Sequence, residues 1–556
     1  MNPPISHEAA ANSGTQFSHP SRDTSRPVML IGFQEQTNLG LGYLASTLRS
    51  HGYRAEILDF EQPREEILRA AQEINPVVIG FSLIFQFYVQ HFEELASYLR
   101  RNGISCHFTM GGHYPSLSYQ QALELVPAVD SAVLFEGELT LLELVDRISL
   151  GQEWRGIDGI AYRREGQAVA NPLRALVRDL DDLPYPDRDQ RPMSLLGRRV
   201  APMLASRGCI RTCSFCSIHV FYRTAPGKVV RTRNPVRVVE EMRMLHERDG
   251  ITIFLFQDDD FPLYGPVWRR WANDFVDALH AARLARRIIW KINCRADAVE
   301  PELMARMRDA GLYLVYMGLE SGSAQGLTTL HKGINVEQNL RAVKILKELD
   351  IMFEYGFMLF DPSSTFESVR ENLEFLRTIV GDGSSAASFC RMVPYDGTPI
   401  KEELAKNGRL KGDVLNPNYD FFDPRLDALF YDLNQMVHVS GWIHGIGALT
   451  PQLQYAKAEV AAMRGLFPPL EGLAQYNEKL KAITQAANEF LFDVVQQVWD
   501  SYCLGVEARC TPETIREACL AFQRDLLEER NSFVAGQQSV LLQALSRETA
   551  LEPSLA

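Results

Sequence analysis

Two long stretches of this chain alternate short apolar runs with helix-spaced ones, and no other feature of the sequence narrows its fold as much. From residue 27 onward, strand-like runs occupy 28–33, 55–60, 77–83, 105–110 and 131–135, with helical spacing over 41–51, 64–73 and 90–101. Strands separated by helices of that length predict a parallel sheet with helices on both faces, a doubly wound, Rossmann-like α/β domain. A second series starts near Val200, with strand-like runs at 200–206, 252–257, 288–293, 313–318, 353–360 and 387–393 and helical patterns between them. Six such βα units predict a partial (β/α)6 barrel of the TIM type, with chemistry at the carboxyl ends of its strands.

Beyond residue 400 the strand signal vanishes. Leu470, Leu473, Leu480, Ile483, Phe490, Val494 and Val498 recur at helical spacing, with no proline between Pro469 and Pro512. The expected organisation is a flexible polar tail over 1–26, a first domain over 27–170 and a connector over 171–198. The barrel follows over 199–400 and a helical domain over 401–556. The connector carries Pro172, Pro184, Pro186 and Pro192. A net charge of −13, with an acidic carboxyl-terminal third, speaks against a nucleic-acid partner. The longest apolar stretch, 77–87, is broken by Gly80 and Ser82, so no membrane span is expected. Residues 1–26 contain Glu8 and Asp23 and no apolar block of a secretory signal. Nine cysteines, an odd and sparse set, do not build a disulfide framework. The expectation is a soluble, cytoplasmic protein.

Small residues collect where the first series turns from strand to helix: Asn38-Leu39-Gly40-Leu41-Gly42, Gly80-Phe81-Ser82, Gly111-Gly112-His113 and Glu136-Gly137-Glu138. In open α/β sheets ligands bind beyond the carboxyl ends of the strands. Glycines there let backbone amides approach a ligand closely. Any one of these loops reads equally well as an ordinary turn; four on one sheet edge point to a ligand.

The sharpest local signal is Cys209-x3-Cys213-x2-Cys216, three cysteines in a short span directly after the first barrel strand. Zinc and iron–sulfur clusters both favour thiolates, and a closed structural site generally takes four ligands. The other cysteines are scattered singly, so three thiolates on a cubane would leave one iron open to a substrate. A partial zinc site is the alternative. The spacing, with Phe215 before the last cysteine, resembles the radical S-adenosylmethionine superfamily. That resemblance implies a 4Fe–4S cluster on Cys209, Cys213 and Cys216 whose free iron chelates S-adenosylmethionine and cleaves it to a 5′-deoxyadenosyl radical. It further implies that Asp258 or Asp259, in Phe256-Gln257-Asp258-Asp259-Asp260-Phe261, accepts from the methionyl amino group, with helix capping as the alternative. Arg295 would face the methionyl carboxylate and Glu320, in Gly318-Leu319-Glu320-Ser321-Gly322, the bound cofactor; for each, a structural ion pair is the alternative. Phe215 would pack on adenine. The run from Val393 to Pro399 resembles the Pro-x-x-Gly-Thr-Pro segment that closes such barrels, and reads equally as a turn.

The order of parts resembles the cobalamin-binding branch of that superfamily over residues 27–400. Asn38, Leu39, Gly40, Ser82, Gly111, Gly112, His113, Glu136 and Gly137 then fall on corrin-facing loops. One departure stands out: the first loop, Gln34-Glu35-Gln36-Thr37-Asn38, lacks the histidine that many cobalamin domains place beneath cobalt. Cobalamin would therefore bind without a histidine axial ligand, and His113 is read as contacting a side chain or phosphate. Methylthiotransferases share the layout but carry a second cysteine trio in the first domain, where only Cys106 stands here. The resemblance thus implies a cobalamin-dependent methyltransferase acting on an unactivated carbon of a small-molecule or peptide substrate through methylcobalamin, with a reductant such as flavodoxin or ferredoxin. The alternatives are radical cyclisation, rearrangement or oxidation without methyl transfer, and a non-catalytic corrinoid or iron–sulfur sensor. In the helical tail and the segment before it, Tyr395, His438, Trp442 and His444 read equally as core or as substrate contacts.

Overall fold

The computed structural model describes residues 25–549 apart from 35–37, 189–192, 440 and 444–446. The tail expectation for residues 1–24, the middle of the first loop, Pro192 and His444 fall outside the described residues, as does the side chain of His438.

The first domain runs β1 (Val28–Gly32), α1 (Leu39–Ser50), β2 (Ala55–Asp59), α2 (Arg64–Ile74), β3 (Val78–Ser82), α3 (Val89–Arg101), β4 (His107–Gly111), α4 (His113–Leu117), α5 (Tyr119–Leu125), β5 (Ser131–Val133), α6 (Glu138–Ser149), β6 (Ile160–Arg164) and β7 (Gln167–Ala170). Its sheet has the order β2-β1-β3-β4-β5-β6-β7. Strands β1 to β5 are parallel, as expected for apolar runs buried on both faces. The order reverses between β1 and β3, so the loops after these two strands flank the crevice where such sheets bind ligands. The α1 helix starts on Asn38, whose side chain accepts from the Leu41 amide and satisfies one orphan donor of the first turn. The antiparallel pair β6–β7 extends the sheet and was not anticipated. Its short strands are joined by a tight turn with no helix between them, so they lack the alternation that marks the other strands.

The second region runs β8 (Met193–Leu195), β9 (Arg198–Met203), β10 (Ser206–Arg207), α7 (Ser217–Thr224), β11 (Arg231–Thr232), α8 (Pro235–Asp249), β12 (Ile251–Phe256), α9 (Gly265–Ala281), β13 (Ile289–Arg295), α10 (Pro301–Asp309), β14 (Leu312–Glu320), α11 (Ala324–Thr329), α12 (Val336–Glu348), β15 (Met352–Phe360), α13 (Phe366–Val380) and β16 (Cys390–Arg391), with β10 and β11 pairing antiparallel as a small sheet of their own. Six strands run parallel in the order β16-β15-β14-β13-β12-β9, and β8 adds antiparallel to β9. The six expected units are present, and the sheet stays an open half-barrel. The strand β8 lies in the stretch expected to be pure connector. The rest of that connector crosses the first domain at Gly42, where a Cβ would stand 2.4 Å from the Asp187 carbonyl oxygen.

The carboxyl-terminal helices are α14 (Pro399–Lys406), α15 (Pro424–Val439), α16 (Leu449–Leu466), α17 (Leu473–Cys503) and α18 (Pro512–Thr549). They are not a separate body: Leu426, Trp442, Leu491 and Phe492 belong to the same buried core as the barrel helices. Trp442 stacks on Phe490 at 5.3 Å and is a packing residue. Helix α16 enters the concave side of the half-barrel, where Ala462 is buried among Val200, Ile253 and Ile289, with Ala458 and Tyr313 beside them. A tail helix thus closes the lower end of the lumen. Gly465 marks the tightest point, since a Cβ there would meet Ile289 Cγ2 at 2.6 Å. Gly465→Val is expected to lower stability by about 1–3 kcal/mol through overpacking, despite the gain in helix propensity; a lower denaturation midpoint would show it.

Candidate active site between the two sheets

The carboxyl edges of both sheets face each other, and the predicted loops converge there. Asn38, Leu39, Gly40, Ser82, Gly111, Gly112, His113, Glu136 and Gly137 all line one cavity of about 600 Å³. The barrel contributes Leu204, Arg207, Phe221, Tyr222, Gln257 and Asp259 to its other wall. Glycine is required at the rim: Gly112 has φ +114°, and a Cβ there would stand 2.4 Å from the Leu83 carbonyl oxygen. The size and largely apolar lining fit a large flat cofactor reached by a few backbone amides.

Two of the predicted loop residues also hold the domains together. Arg207, buried, pairs with Glu136 at 3.1 Å and Glu138 at 2.7 Å, and its guanidinium lies 4.8 Å from the Tyr43 ring centre. Arg231 pairs with the second Glu136 oxygen at 2.8 Å. Burial disfavours the Glu136 carboxylate, but Arg231 and Arg207 outweigh it and hold its carboxyl below the ordinary range. Helix α7, which starts one residue after Cys216, buries Phe221 and Tyr222 in the core of the first domain. His113 packs on Phe221, ring centres 4.5 Å apart, with its Nε2 buried and unpartnered. Burial holds its imidazole down at about 4, so it is neutral.

The cysteine loop follows β10. Arg295 Nη1 lies 3.5 Å from Cys213 Sγ, and the Arg211 amide 3.5 Å from Cys209 Sγ. Burial, reinforced by Asp260, pushes the Cys209 thiol up to about 12, and burial pushes that of Cys216 up to about 11. Cys209 and Cys216 are therefore held as neutral thiols until metal binding drives the protons off. Among the described residues no three metal-binding side chains converge on a single ion. Three thiols on one loop suit a cluster that keeps one iron free of protein ligands, whereas a closed zinc site takes four. The loop backbone is fixed from two sides: Ser214 N donates to Leu330 O at 3.0 Å, and Ile400 N to Ser214 O at 3.1 Å. The Pro-x-x-Gly-Thr-Pro segment is therefore more than a turn. It holds the cysteine loop and, through Gly397, whose Cβ would meet Leu117 Cβ at 2.9 Å, rests on α4.

The three consecutive aspartates separate into three uses. Asp258, only 1% exposed, accepts from the Ala205 amide and from Ser206 Oγ and straps the end of β9 to the end of β12. Burial raises its carboxyl to about 7. Both donors lie on the segment after β9. Asp259 accepts from the Gly208 amide at 2.8 Å and faces the large cavity. Asp260, passed over in the sequence reading, lies 3.9 Å from Cys209 Sγ, with its other oxygen buried and unpartnered. Arg295 is committed to Asp297, to the Lys332 carbonyl and to Cys213. Glu320 has φ +67°, a strained value for a non-glycine residue, and pairs with Lys332 at 3.0 Å. Its carboxylate folds over Gly318, where a Cβ would stand 2.4 Å from Oε1. Phe215 packs half-buried on the barrel core.

A parallel α/β domain with a glycine-walled cleft, facing a half-barrel whose first strand delivers three thiols, defines a two-cofactor enzyme. The B12 binding domain family model matches residues 32–145 and the Radical SAM superfamily model residues 203–376. The uncharacterized methyltransferase PH0819 of Pyrococcus horikoshii is 30% identical over 67% of this chain and 79% of its own length. The anaerobic magnesium-protoporphyrin IX monomethyl ester cyclase of Rubrivivax gelatinosus is 27% identical over 66% of this chain and 65% of its own. The structure of the cobalamin-dependent S-adenosylmethionine radical enzyme OxsB with aqua-cobalamin bound superposes with a TM-score of 0.66 at 19% identity, covering 94% of this chain and 84% of that one. The chain belongs to the cobalamin-binding radical S-adenosylmethionine enzymes.

Two outcomes test this geometry. Arg207→Met strands the buried Glu138 carboxylate, while Arg231 keeps its hold on Glu136, and is expected to cost roughly 3–5 kcal/mol, part of it recovered when Glu138→Gln is added; chemical denaturation reads both. His113, held below its unfolded value, contributes stability that is complete above about pH 6.5 and is lost as pH falls through that value toward its folded pKa. His113→Phe is therefore expected to spare about 2 kcal/mol of the loss between about pH 7.5 and pH 5, measured as the difference in unfolding free energy from the parent protein.

Proposed function

We propose that this enzyme methylates an unactivated carbon of a small-molecule or peptide substrate, with cobalamin as methyl carrier and S-adenosylmethionine as the source of the hydrogen-abstracting radical. The observation that carries this reading is one shared wall. Asp259 lines the cobalamin-sized cavity while its carboxylate receives the amide of Gly208, the residue before Cys209. The two cofactors would then sit against opposite sides of a single turn of chain. When bound, they supply the electron that splits a sulfonium and the methyl group to be transferred.

The chain's own residues position and enclose. Cys209, Cys213 and Cys216 hold the cluster, and Arg295 steadies the Cys213 thiolate by charge. Asp260, with its unpartnered oxygen, would receive the methionyl ammonium, and the Glu320–Lys332 pair would face the same cofactor. Phe215 packs on adenine. The loops at Asn38, Ser82, Gly111–Gly112 and Glu136–Gly137 would cradle the corrin; the first loop carries no histidine, and His113 packs its ring on Phe221 with Nε2 buried. Phe221 and Tyr222 of α7 plug the seam between the domains and keep water from the radical. An external flavodoxin or ferredoxin delivers the electron, in a cytoplasm that keeps thiols reduced. No described helix is long and apolar enough to cross a membrane.

The same layout also suits a radical ring closure, the activity for which the cyclase relative is named. Anaerobic reconstitution with iron, sulfide, cobalamin, S-adenosylmethionine and a reductant is expected to yield 5′-deoxyadenosine and S-adenosylhomocysteine. Replacing the three cysteines by alanine should abolish both products while cobalamin binding persists. Deoxyadenosine without S-adenosylhomocysteine, or a product lacking a methyl increment, would favour ring closure. A cluster that forms with neither product would leave only a sensor and overturn the proposal.

A further inference from the structure

The lumen of the half-barrel carries charges that neither the cluster nor the corrin cavity uses. Side chains alternate along its strands, and the register sets Asn293 beside Tyr316, Tyr316 beside Glu354, and Gly318 beside Gly356. These positions face the concave side, because the intervening residues Ile292, Val315, Met317, Phe353 and Tyr355 belong to the core under the helices. Helix α16 closes the lumen below, where Ala458 and Ala462 meet Ile289 and Tyr313. Above that floor the lumen is open: Tyr316, on a central strand, is still 39% exposed.

Two opposite charges flank this tyrosine. Lys291 Nζ donates to Asn293 Oδ1 at 2.5 Å, which uses one of its three protons, and lies 5.7 Å from the Tyr316 ring centre. Glu354 is half-buried and, among the described residues, has no hydrogen-bond or ion-pair partner. The two groups stand on strands separated by β14, about 10 Å at the usual strand spacing. Burial shifts each toward its neutral form and each partly restrains the other, so both feel the same low-dielectric space without touching. Holding a lysine and a carboxylate apart in such a space is costly unless a third body completes them. Gly356 leaves room for it beside the Tyr316 hydroxyl, which lies 3.0 Å from the point a Cβ there would occupy, with Glu320 Oε2 at 3.4 Å on the upper side.

We propose that this chamber binds the polar end of the substrate and selects a small zwitterion of the amino-acid type. Glu354 receives its ammonium group, Lys291 its carboxylate, and the Tyr316 hydroxyl lies between them. This rests on the radical-enzyme reading above and names the substrate class for the same active site.

The test is calorimetric titration of the anaerobically reconstituted holoenzyme with the common L-amino acids and with their N-acetyl and carboxamide derivatives. At least one free amino acid is expected to bind, and blocking its amine or its carboxylate should weaken it about 10- to 100-fold. Glu354→Gln should weaken the free amino acid by a similar factor and leave the N-acetyl form unchanged, while Glu354→Asp restores part of the difference. Lys291→Gln should do the same with respect to the carboxamide. Cobalamin loading of each variant, which reports on the other domain, verifies folding. No binding across the panel, equal binding of blocked and free forms, or indifference to both substitutions would overturn the chamber. Binding with this pattern in a preparation that forms no deoxyadenosine would uphold the chamber and count against the radical chemistry.

Discussion

The structure depends on a buried ion network that is also a hinge of cofactor geometry. Arg207 stands two residues before the first cluster cysteine and binds Glu136 and Glu138, on the fifth loop of the other domain. A paired, hydrogen-bonded ion network out of water is weak as a source of stability but exacting in geometry, because an unpaired member is so unfavourable. The domains therefore meet in one arrangement, and that arrangement sets where the cysteine loop lies relative to the glycine-walled cleft. Helix α7 adds an apolar lock on the same seam. Residues that a sequence reading assigns to the corrin thus also orient the cysteine loop.

At the mouth of the barrel, electrostatics and strain act together. Three neighbouring aspartates are all raised by burial, yet each has a distinct partner: a strand end, the amide before Cys209, or the sulfur of Cys209 itself. Glu320 tolerates a left-handed backbone because Lys332 and the missing side chain of Gly318 hold its carboxylate in place. Strain of this kind persists where the surroundings over-determine a position, which is a common property of ligand sites. The tail contributes from the opposite end by sending α16 into the lumen, so the barrel is shaped by helices that lie far along the chain.

Much of this was legible in the residues. The βα alternation announced both sheets, with the six parallel barrel strands close to their expected positions. The four small-residue loops meet in one cavity because the carboxyl ends of parallel strands share an edge. The hairpin β6–β7 and strand β8 escaped notice because runs of three to five residues without an intervening helix carry little periodic signal. The partners of Asp258 stay hidden for another reason: Ala205 and Ser206 stand far earlier in the chain, and nothing local reveals that their donors point at it.

The sequence by itself determined the fold class, the cysteine trio, the four ligand loops and the helical character of the tail, since each follows from short-range spacing. Only the tertiary structure decided which of three adjacent carboxylates faces the thiols, that Glu136 and Glu138 are bound to Arg207, and that α16 floors a chamber holding Lys291 and Glu354 apart. These are pairings between residues tens to hundreds of positions distant. Burial and charge act through space, so their outcome depends on which surfaces the packed sheets bring together.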